Sequence, residues 1–233
     1  MLENKTNIVV ITGAGISAES GLQTFRGNNG LWNGYNIQDV ASPQGWKKNP
    51  EQVLDFYNKR RRELKKVKPN SAHHALVELE ELYKVQIITQ NVDNLHEQAG
   101  SQHVLHLHGE LLKVRSEKTP ELILFWEKDL HWGDKGPDHA QLRPHIVWFG
   151  EAVPELDQAI AHVREADVLL IIGTSLQVYP AANLMHYAPA QCPIYYIDPH
   201  PQQPPLQRIK VIAEKATVGM KQLHTLLMKK PFA

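Results

Sequence analysis

Short apolar runs recur along the chain and alternate with segments in which apolar residues have the spacing of an amphipathic helix. This alternation predicts an α/β protein, with a Rossmann-like, mainly parallel sheet and helices on both faces. Seven runs are interpreted as strands, namely IVVIT, VQIIT, HVLHL, HIVWF, DVLLIIG, PIYYI and KVIA.

Two intervals break the alternation. Residues 28–75 are expected to hold loops and one clear helix without a convincing strand, and residues 113–144 are polar, irregular and contain tryptophan. We predict that these intervals form a small second lobe. The large lobe then comprises approximately residues 1–27, 76–112 and 145–233.

The first predicted strand runs into a glycine-rich turn in which Gly13, Gly15 and Ala18 have the spacing G-x-G-x-x-A. Such a turn can hold a diphosphate over the N-terminus of the following helix, although an ordinary tight strand-to-helix turn is the alternative. A dehydrogenase would also need an acidic residue about 20 positions further on. Residues 25–30, FRGNNG, instead indicate a polar loop, which disfavours hydride transfer.

Polar residues follow several other predicted strands, at the sheet edge where open α/β proteins bind ligands. Gln90, Asn91 and Asp93 follow VQII, and His106 and His108 end HVLHLH. A histidine in that position is suited to act as a general base, and His108, at the very end of the strand, is the stronger candidate. Further residues at this edge are Gly173, Thr174 and Ser175, which could hold phosphate or ribose, and Asp198, which could bind ribose hydroxyls.

Sequence signals predict where the helix of the first interval starts and ends. Asn49 is the expected N-cap, Pro50 fits the first helical position, and basic residues crowd the last turns. Tyr57 and Arg60 are three residues apart and therefore share a face. A phenol beside a guanidinium can bind a carboxylate. A core tyrosine with an arginine at the rim is the structural alternative.

Composition narrows the function classes. The chain has 233 residues, a formal net charge of zero and a single cysteine, Cys192, whose apolar surroundings predict a buried thiol. One cysteine excludes an internal disulfide framework and a multi-cysteine zinc site. Neutral charge argues against a nucleic-acid partner. The polar start and the lack of a long apolar span predict a cytoplasmic protein without a membrane partner.

Taken together, the motifs resemble the sirtuin family of NAD-dependent protein-lysine deacylases over nearly the whole chain. They are GAGISAESGLQTFRG, TQNVDNLHEQAG, HLHGEL, VWFGE and GTSLQVYPAANL, in this order. The resemblance implies that NAD is consumed as a co-substrate through cleavage of its nicotinamide–ribose bond. It also implies acylated-lysine proteins or peptides as substrates, and nicotinamide and O-acyl-ADP-ribose as products.

The resemblance assigns roles to individual residues. His108 matches the catalytic histidine, which takes a proton from a ribose hydroxyl, and Asn91 and Asp93 are assigned to the catalytic centre with it. Phe25 and Arg26 fall in a mobile cofactor loop that could act as a lid. The other implied cofactor-binding residues are Gly13, Ala14, Gly15, Ser17, Gln90, Asn91, Asp93, Gly173, Thr174, Ser175, Asp198 and Ala216, and those implied to pair with the substrate peptide as a strand are Val147, Phe149 and Gly150.

Two features refine the assignment. Tyr57 and Arg60 form a Tyr-x-x-Arg pattern that resembles the sirtuin branch acting on succinyl-lysine, so we predict desuccinylation, with malonyl, glutaryl and possible acetyl removal. Sirtuins usually hold a structural zinc with four cysteines, which this chain lacks, so no zinc is expected. We expect an apolar cluster in its place rather than a metal bound by His131, Asp134, Asp138 and His139; the cluster would comprise Phe125, Trp126 and Trp132.

Three alternatives stay open on the sequence alone. An NAD glycohydrolase or protein ADP-ribosyltransferase would use the same bond cleavage with another acceptor. A non-catalytic NAD or ADP-ribose sensor would not need His108, Asn91 and Asp93 together. An oxidoreductase is the least favoured of the three.

Overall fold

A computed structural model describes residues 5–23, 31–32, 34–201 and 208–229. The strands are β1 (Asn7–Thr12), β2 (Leu31–Trp32), β3 (Tyr35–Asn36), β4 (Lys84–Thr89), β5 (Val104–His106), β6 (Gly109–Ser116), β7 (Ile123–Phe125), β8 (Leu142–Ile146), β9 (Val168–Ile172), β10 (Ile194–Ile197) and β11 (Ile209–Ile212). The α-helices are α1 (Ala14–Ala18), α2 (Ile37–Val40), α3 (Pro43–Lys48), α4 (Pro50–Leu64), α5 (Ser71–Leu79), α6 (Leu95–Ala99), α7 (Leu156–Arg164) and α8 (Ala216–Lys229), and a 3₁₀ helix spans Ala181–Tyr187.

Six strands form a parallel sheet in the order β11-β10-β9-β1-β4-β5. Side chains of its central strands are buried on both faces, as expected for parallel strands covered by helices. On one face, Leu76 of α5 and Leu223 of α8 join the core formed with Val10. On the other face, Val163 of α7 and Leu184 of the 3₁₀ helix pack in the core with Val9. The predicted Rossmann-like α/β fold is therefore confirmed.

The small lobe is built around a second, antiparallel sheet. Its strands have the order β7-β6-β8, and its core includes Phe56 of α4, Val114 of β6 and Leu142 of β8. The interval 28–75 contains more structure than the one helix predicted, because β2, β3, α2 and α3 precede α4. These elements have two to six residues, too few for a periodic pattern to identify them.

The predicted helix α4 begins and ends close to where its capping signals indicate. The side chain of Asn49 accepts a hydrogen bond from the backbone N–H of Gln52, and Pro50 is the first helical residue. Cys192 is buried, as predicted. None of the helices in the described ranges is long and apolar enough to cross a membrane.

One predicted strand is wrong in its position. The run HIVWF, 145–149, was expected in the sheet, and Val147, Phe149 and Gly150 were expected to pair with the peptide as a strand; instead β8 ends at Ile146 and pairs with β6 in the small lobe. Val147, Phe149 and Gly150 therefore lie beyond the strand end. Trp148 is buried, because its ring packs in the small-lobe core.

The aromatic cluster predicted in place of a zinc site is also wrong. Phe125 and Trp132 are 66% and 55% exposed; Trp126 packs against the small-lobe core, and the ring of Trp132 lies 6.1 Å from the ring of Trp46, centroid to centroid. Polar contacts hold this region instead: the side chain of Asn58 exchanges two 2.9 Å hydrogen bonds with the backbone of Leu130. Within the described residues, no group of three or more histidine, cysteine, aspartate and glutamate side chains could hold a metal ion.

Candidate active site

A cavity of about 670 Å³ lies at the carboxyl ends of β1, β4, β9 and β10 and extends to the small lobe. Its volume lies in the range of small-molecule sites. Phe25 and Arg26 lie outside the described residues. Apart from His106, every other residue that the sequence assigned to catalysis, cofactor binding or substrate binding lines this cavity, namely Gly13, Ala14, Gly15, Ser17, Tyr57, Arg60, Gln90, Asn91, Asp93, His108, Val147, Phe149, Gly150, Gly173, Thr174, Ser175, Asp198 and Ala216.

The two small-residue turns of the cavity pack directly on each other. A Cβ atom on Gly15 would lie 2.6 Å from the Cα of Gly173, and Gly173 itself has a φ of +64°. The backbone N–H of Gly15 donates to the carbonyl of Gly173 at 2.8 Å. Glycine is therefore required at both positions by turn-to-turn contact. This N–H of the glycine turn is used within the protein rather than left for a phosphate.

The loop that follows β4 is anchored on several sides. Asn91 donates from its side-chain amide to the carbonyl of Gly13 at 3.1 Å and to Ser17 Oγ at 3.3 Å. The side chain of Gln90 donates to Thr174 Oγ1 at 3.2 Å. The loop thereby connects the turns after β1 and β9, and the side chains of Gln90 and Asn91 are fixed at the edge of the cavity.

Asp93 and the first turn of α6 form the floor of this loop. The side chain of Asp93 is 8% exposed and accepts a hydrogen bond from the backbone N–H of Leu95 at 3.1 Å. Burial raises the pKa of the Asp93 carboxyl, while this hydrogen bond and the hydroxyl of Ser17 oppose the rise. A buried carboxyl of this kind is typical of a functional site.

His108 has the protonation state that a general base needs. Its Nδ1 lies 3.1 Å from the carbonyl oxygen of Gln90, which can only accept a hydrogen bond, so Nδ1 carries the proton. Nε2 is then the basic nitrogen of the neutral ring. Burial lowers the pKa of His108, which keeps the ring neutral near pH 7.

His106, the weaker candidate, does not line the cavity. Its Nδ1 lies 3.0 Å from the carbonyl oxygen of Asn91 and its Nε2 lies 2.7 Å from Glu97 Oε1, so both nitrogens face acceptors. Burial opposes a charge here, but the contact with Glu97 raises the pKa of His106 above its ordinary value. His106 therefore stabilises the loop after β4 through its contact with the backbone of Asn91, outside the cavity.

Tyr57 and Arg60 of α4 both reach the cavity from the small lobe. The phenol of Tyr57 is fully buried, and its oxygen accepts a 3.0 Å hydrogen bond from Trp148 Nε1. Burial raises the pKa of this phenol, so it stays protonated and can donate its own hydrogen. Burial also lowers the pKa of the Arg60 guanidinium, yet a group of this basicity keeps its charge at neutral pH.

Residues 147–151, which we call the peptide segment, line the cavity directly after β8. The backbone N–H of Val147 donates to the carbonyl of His108 at 2.9 Å, and that of Phe149 donates to the carbonyl of Ala41 at 3.0 Å. Glu151 accepts two hydrogen bonds from the guanidinium of Arg143, at 2.8 and 2.9 Å. The segment is thus fixed relative to His108 although it is not a strand.

Several lining residues were not predicted from the sequence. They include Ala41, Trp148, Tyr179, His200 and Lys215. Trp148 was interpreted only as part of the strand HIVWF, although its place between two predicted site residues could have suggested a contact with the site. Tyr179 falls within the motif GTSLQVYPAANL but received no role there. Ala41, His200 and Lys215 stand in segments whose local patterns carry no sign of a ligand, so only the tertiary structure brings them to the cavity.

A family model described as "SIR2: Sir2 family" matches residues 13–180. The chain belongs to the Sir2 family. A protein named NAD-dependent protein deacylase from Helicobacter pylori is 60% identical over 224 residues, which cover 96% of this chain and 98% of that protein. A protein of the same name from Bacteroides thetaiotaomicron is 50% identical over 232 residues, which cover 97% of this chain and 99% of that protein.

Solved structures agree with this sirtuin assignment. A complex of a Sir2 homolog with NAD aligns with a TM-score of 0.84 at 38% identity, covering 97% of this chain and 91% of that chain. A complex of Sir2 with a p53 peptide and NAD+ aligns with a TM-score of 0.79 at 27% identity, covering 98% of this chain and 96% of that chain. The prediction that this chain is a sirtuin-type enzyme is therefore confirmed, while the roles of its individual site residues stay predictions.

Proposed function

We propose that this sirtuin is an NAD-dependent protein-lysine deacylase that prefers acyl groups ending in a carboxylate. Succinyl-lysine is the favoured substrate, malonyl- and glutaryl-lysine follow, and acetyl-lysine is a poorer substrate. The names of the relatives support NAD-dependent deacylation. The products are unmodified lysine, nicotinamide and O-acyl-ADP-ribose.

The residues that line the cavity are suited to the pyrophosphate, ribose and nicotinamide groups of NAD. The turns at Gly13 and Gly173 would lie against the pyrophosphate, and the buried carboxylate of Asp198 would accept hydrogen bonds from ribose hydroxyls. Gln90 and Asn91 would hold the nicotinamide end, since their side chains are already fixed there. NAD supplies a ribose carbon that becomes electrophilic when nicotinamide leaves.

The chemistry that this chain contributes is a positioned base and the exclusion of water. Nε2 of His108 would take the proton of a ribose hydroxyl, because Nδ1 is committed to the carbonyl of Gln90. The peptide segment would hold the acyl-lysine beside this base, since Val147 is hydrogen-bonded to the backbone of His108. A cavity bounded by both lobes limits the access of water to the electron-poor carbon.

The acyl preference depends on one observation: a tyrosine and an arginine, Tyr57 and Arg60, line the same cavity as His108. Tyr57 is held as a protonated donor, and Arg60 offers a positive planar fork that matches a carboxylate. An acetyl group has no carboxylate for these donors. Tyr57 and Arg60 would therefore strengthen the binding of a succinyl group but not that of an acetyl group.

The test compares succinyl- and acetyl-lysine peptides of one sequence. Arg60→Met should lower kcat/KM for the succinyl peptide roughly 10- to 100-fold, the value of losing a hydrogen-bonded charge, and should change the acetyl peptide far less. Arg62→Met is the matched control, because Arg62 lies on the same helix and pairs with Asp129. Equal losses for both peptides in Arg60→Met would refute the receptor role.

A further inference from the structure

The proposed acyl receptor is linked to the peptide segment through one buried hydrogen bond. Trp148 Nε1 donates to the hydroxyl oxygen of Tyr57 at 3.0 Å, and the two side chains are 2% and 0% exposed. We propose that Trp148 is a positioning residue that determines acyl specificity by directing the hydroxyl hydrogen of Tyr57 towards a carboxylate in the cavity. This inference rests on the proposed function of Tyr57 and Arg60.

The direction of the bond follows from the chemistry of the two groups. An indole N–H can only donate, so the phenol oxygen must accept, and the phenol hydrogen must point away from the indole. Tyr57 lines the cavity, so the remaining direction for its donor lies on the cavity side. Without the indole N–H, the hydroxyl could rotate and offer a lone pair to the incoming carboxylate, which would repel it.

Trp148 is itself held on several sides. The guanidinium of Arg143 lies over its ring with Cζ 3.6 Å from the ring centroid, and the ring of Trp46 lies 5.7 Å away, centroid to centroid. The backbone N–H of Trp148 donates to Glu151 Oε2 at 2.8 Å, the same carboxylate that binds Arg143. The indole therefore has one fixed orientation towards Tyr57.

The peptide segment links the proposed binding site of the substrate peptide to the proposed acyl receptor. Trp148 lies between Val147 and Phe149, which line the cavity, and its side chain donates a hydrogen bond to Tyr57. A peptide bound along this segment thus meets a receptor whose hydroxyl is already oriented. Pre-orientation reduces the ordering that binding must otherwise provide. It benefits only acyl groups that carry a carboxylate.

The test uses Trp148→Phe, which keeps an aromatic ring and removes the N–H. We expect KM for the succinyl peptide to rise roughly fivefold, the value of one neutral hydrogen bond, with kcat within about twofold of the wild type. For the acetyl peptide, both KM and kcat should stay within about twofold of the wild-type values. Trp46→Phe is the matched control, because Trp46 packs on Trp148 and donates to Glu117 instead.

A double-mutant cycle with Tyr57→Phe separates positioning from packing. If Trp148 acts through the phenol, Trp148→Phe adds no further loss for the succinyl peptide once the hydroxyl is gone. Additive losses, or equal losses for succinyl and acetyl peptides, would overturn the inference. Arg143→Lys, which removes the planar group stacked on the indole, gives an independent variant and should shift selectivity in the same direction.

The wild-type enzyme and Tyr57→Phe distinguish this inference from the proposed function. If the wild type shows no succinyl preference and Tyr57→Phe changes nothing, the receptor itself is absent and both proposals fall. If the wild type prefers succinyl and Tyr57→Phe removes the preference, but Trp148→Phe keeps it, only the positioning role is refuted.

Discussion

His106 and His108 lie two residues apart, and their pKa values are shifted in opposite directions. Contact with Glu97 raises the pKa of His106 despite its burial, whereas burial lowers the pKa of His108 and the contact with the carbonyl of Gln90 opposes this only in part. β5 ends at His106, and His108 follows in the turn before β6, so the difference comes from the groups that each ring contacts. One histidine is thus suited to carry a charge behind the Asn91 loop and the other to stay neutral in the cavity.

His108→Ala should reduce turnover by roughly 100-fold or more, the usual contribution of a positioned general base, while ADP-ribose binding stays within about twofold. In the wild type, kcat/KM should fall only below a pKa that is lower than 6.5, because protonation of His108 removes the base. Calorimetric titration with ADP-ribose and a pH–rate profile measure these effects. Turnover that survives in His108→Ala would show that another residue takes the proton.

The sequence predicted many of the residues that line the cavity but not the contacts between them. The residues after β1, β4, β9 and β10 could be found because small and polar side chains follow apolar runs at the edge where α/β sheets bind ligands. Trp148 could not be assigned in this way, because its hydrogen bond with Tyr57 joins residues 91 positions apart in the chain. A local pattern carries no information about such a contact.

At the scale of elements, the two turns behind the cavity behave as one unit. A side chain on Gly173 would place its Cβ 2.6 Å from the carbonyl carbon of Gly15, and the backbone φ of +64° is unfavourable for other residues. The turn after β9 therefore positions the turn after β1 as well as lining the cavity. This coupling explains why both turns need glycine whether or not a ligand is bound.

Gly173→Ala should lower the free energy of unfolding by about 2–4 kcal/mol, since strain and a backbone clash combine. It should also weaken ADP-ribose binding, because both turns must shift. Gly133→Ala is the matched control: Gly133 has a φ of +95° with nothing within 4 Å, so only the strain of about 1 kcal/mol remains. Urea denaturation of the three proteins measures the difference, and equal losses in the two variants would contradict the contact.

Element boundaries were predictable where capping residues mark them. The start of α4 follows from Asn49 and Pro50, which satisfy or replace the first backbone donors of the helix. The end of β8 was not predictable, because the apolar run HIVWF continues past it. Trp148 packs in the small-lobe core although it lies outside the strand, so the hydrophobic pattern alone gave the wrong strand end.

At the scale of the whole molecule, burial of neutral histidines ties stability to pH. His73 is fully buried, and burial lowers its pKa to about 4; burial lowers the pKa of His96 as well. The unfolded chain binds protons at these residues below about pH 6.5, whereas the folded protein does not. Stability from these groups therefore falls as the pH decreases from 6.5 towards 4.

His73→Gln should reduce this pH dependence. Lowering the pH from 7.5 to 5 should cost the wild type about 2 kcal/mol through His73 alone, from its folded and unfolded pKa values. Glutamine cannot titrate, and at this position it can still accept the hydrogen bond that His73 accepts from the backbone N–H of Asn70. Urea denaturation at both pH values measures the change, and an unaltered difference between them would show that His73 does not titrate as described.

The central claim is that acyl transfer to ADP-ribose, rather than hydrolysis of NAD alone, occurs in the cavity between the lobes. The most direct measurement is mass spectrometry of the wild-type protein incubated with NAD and matched succinyl-, acetyl- and unmodified-lysine peptides. The account predicts preferential loss of the succinyl group, with one nicotinamide and one succinyl-ADP-ribose formed per peptide converted. Nicotinamide release with every peptide left unchanged would contradict it and indicate a glycohydrolase.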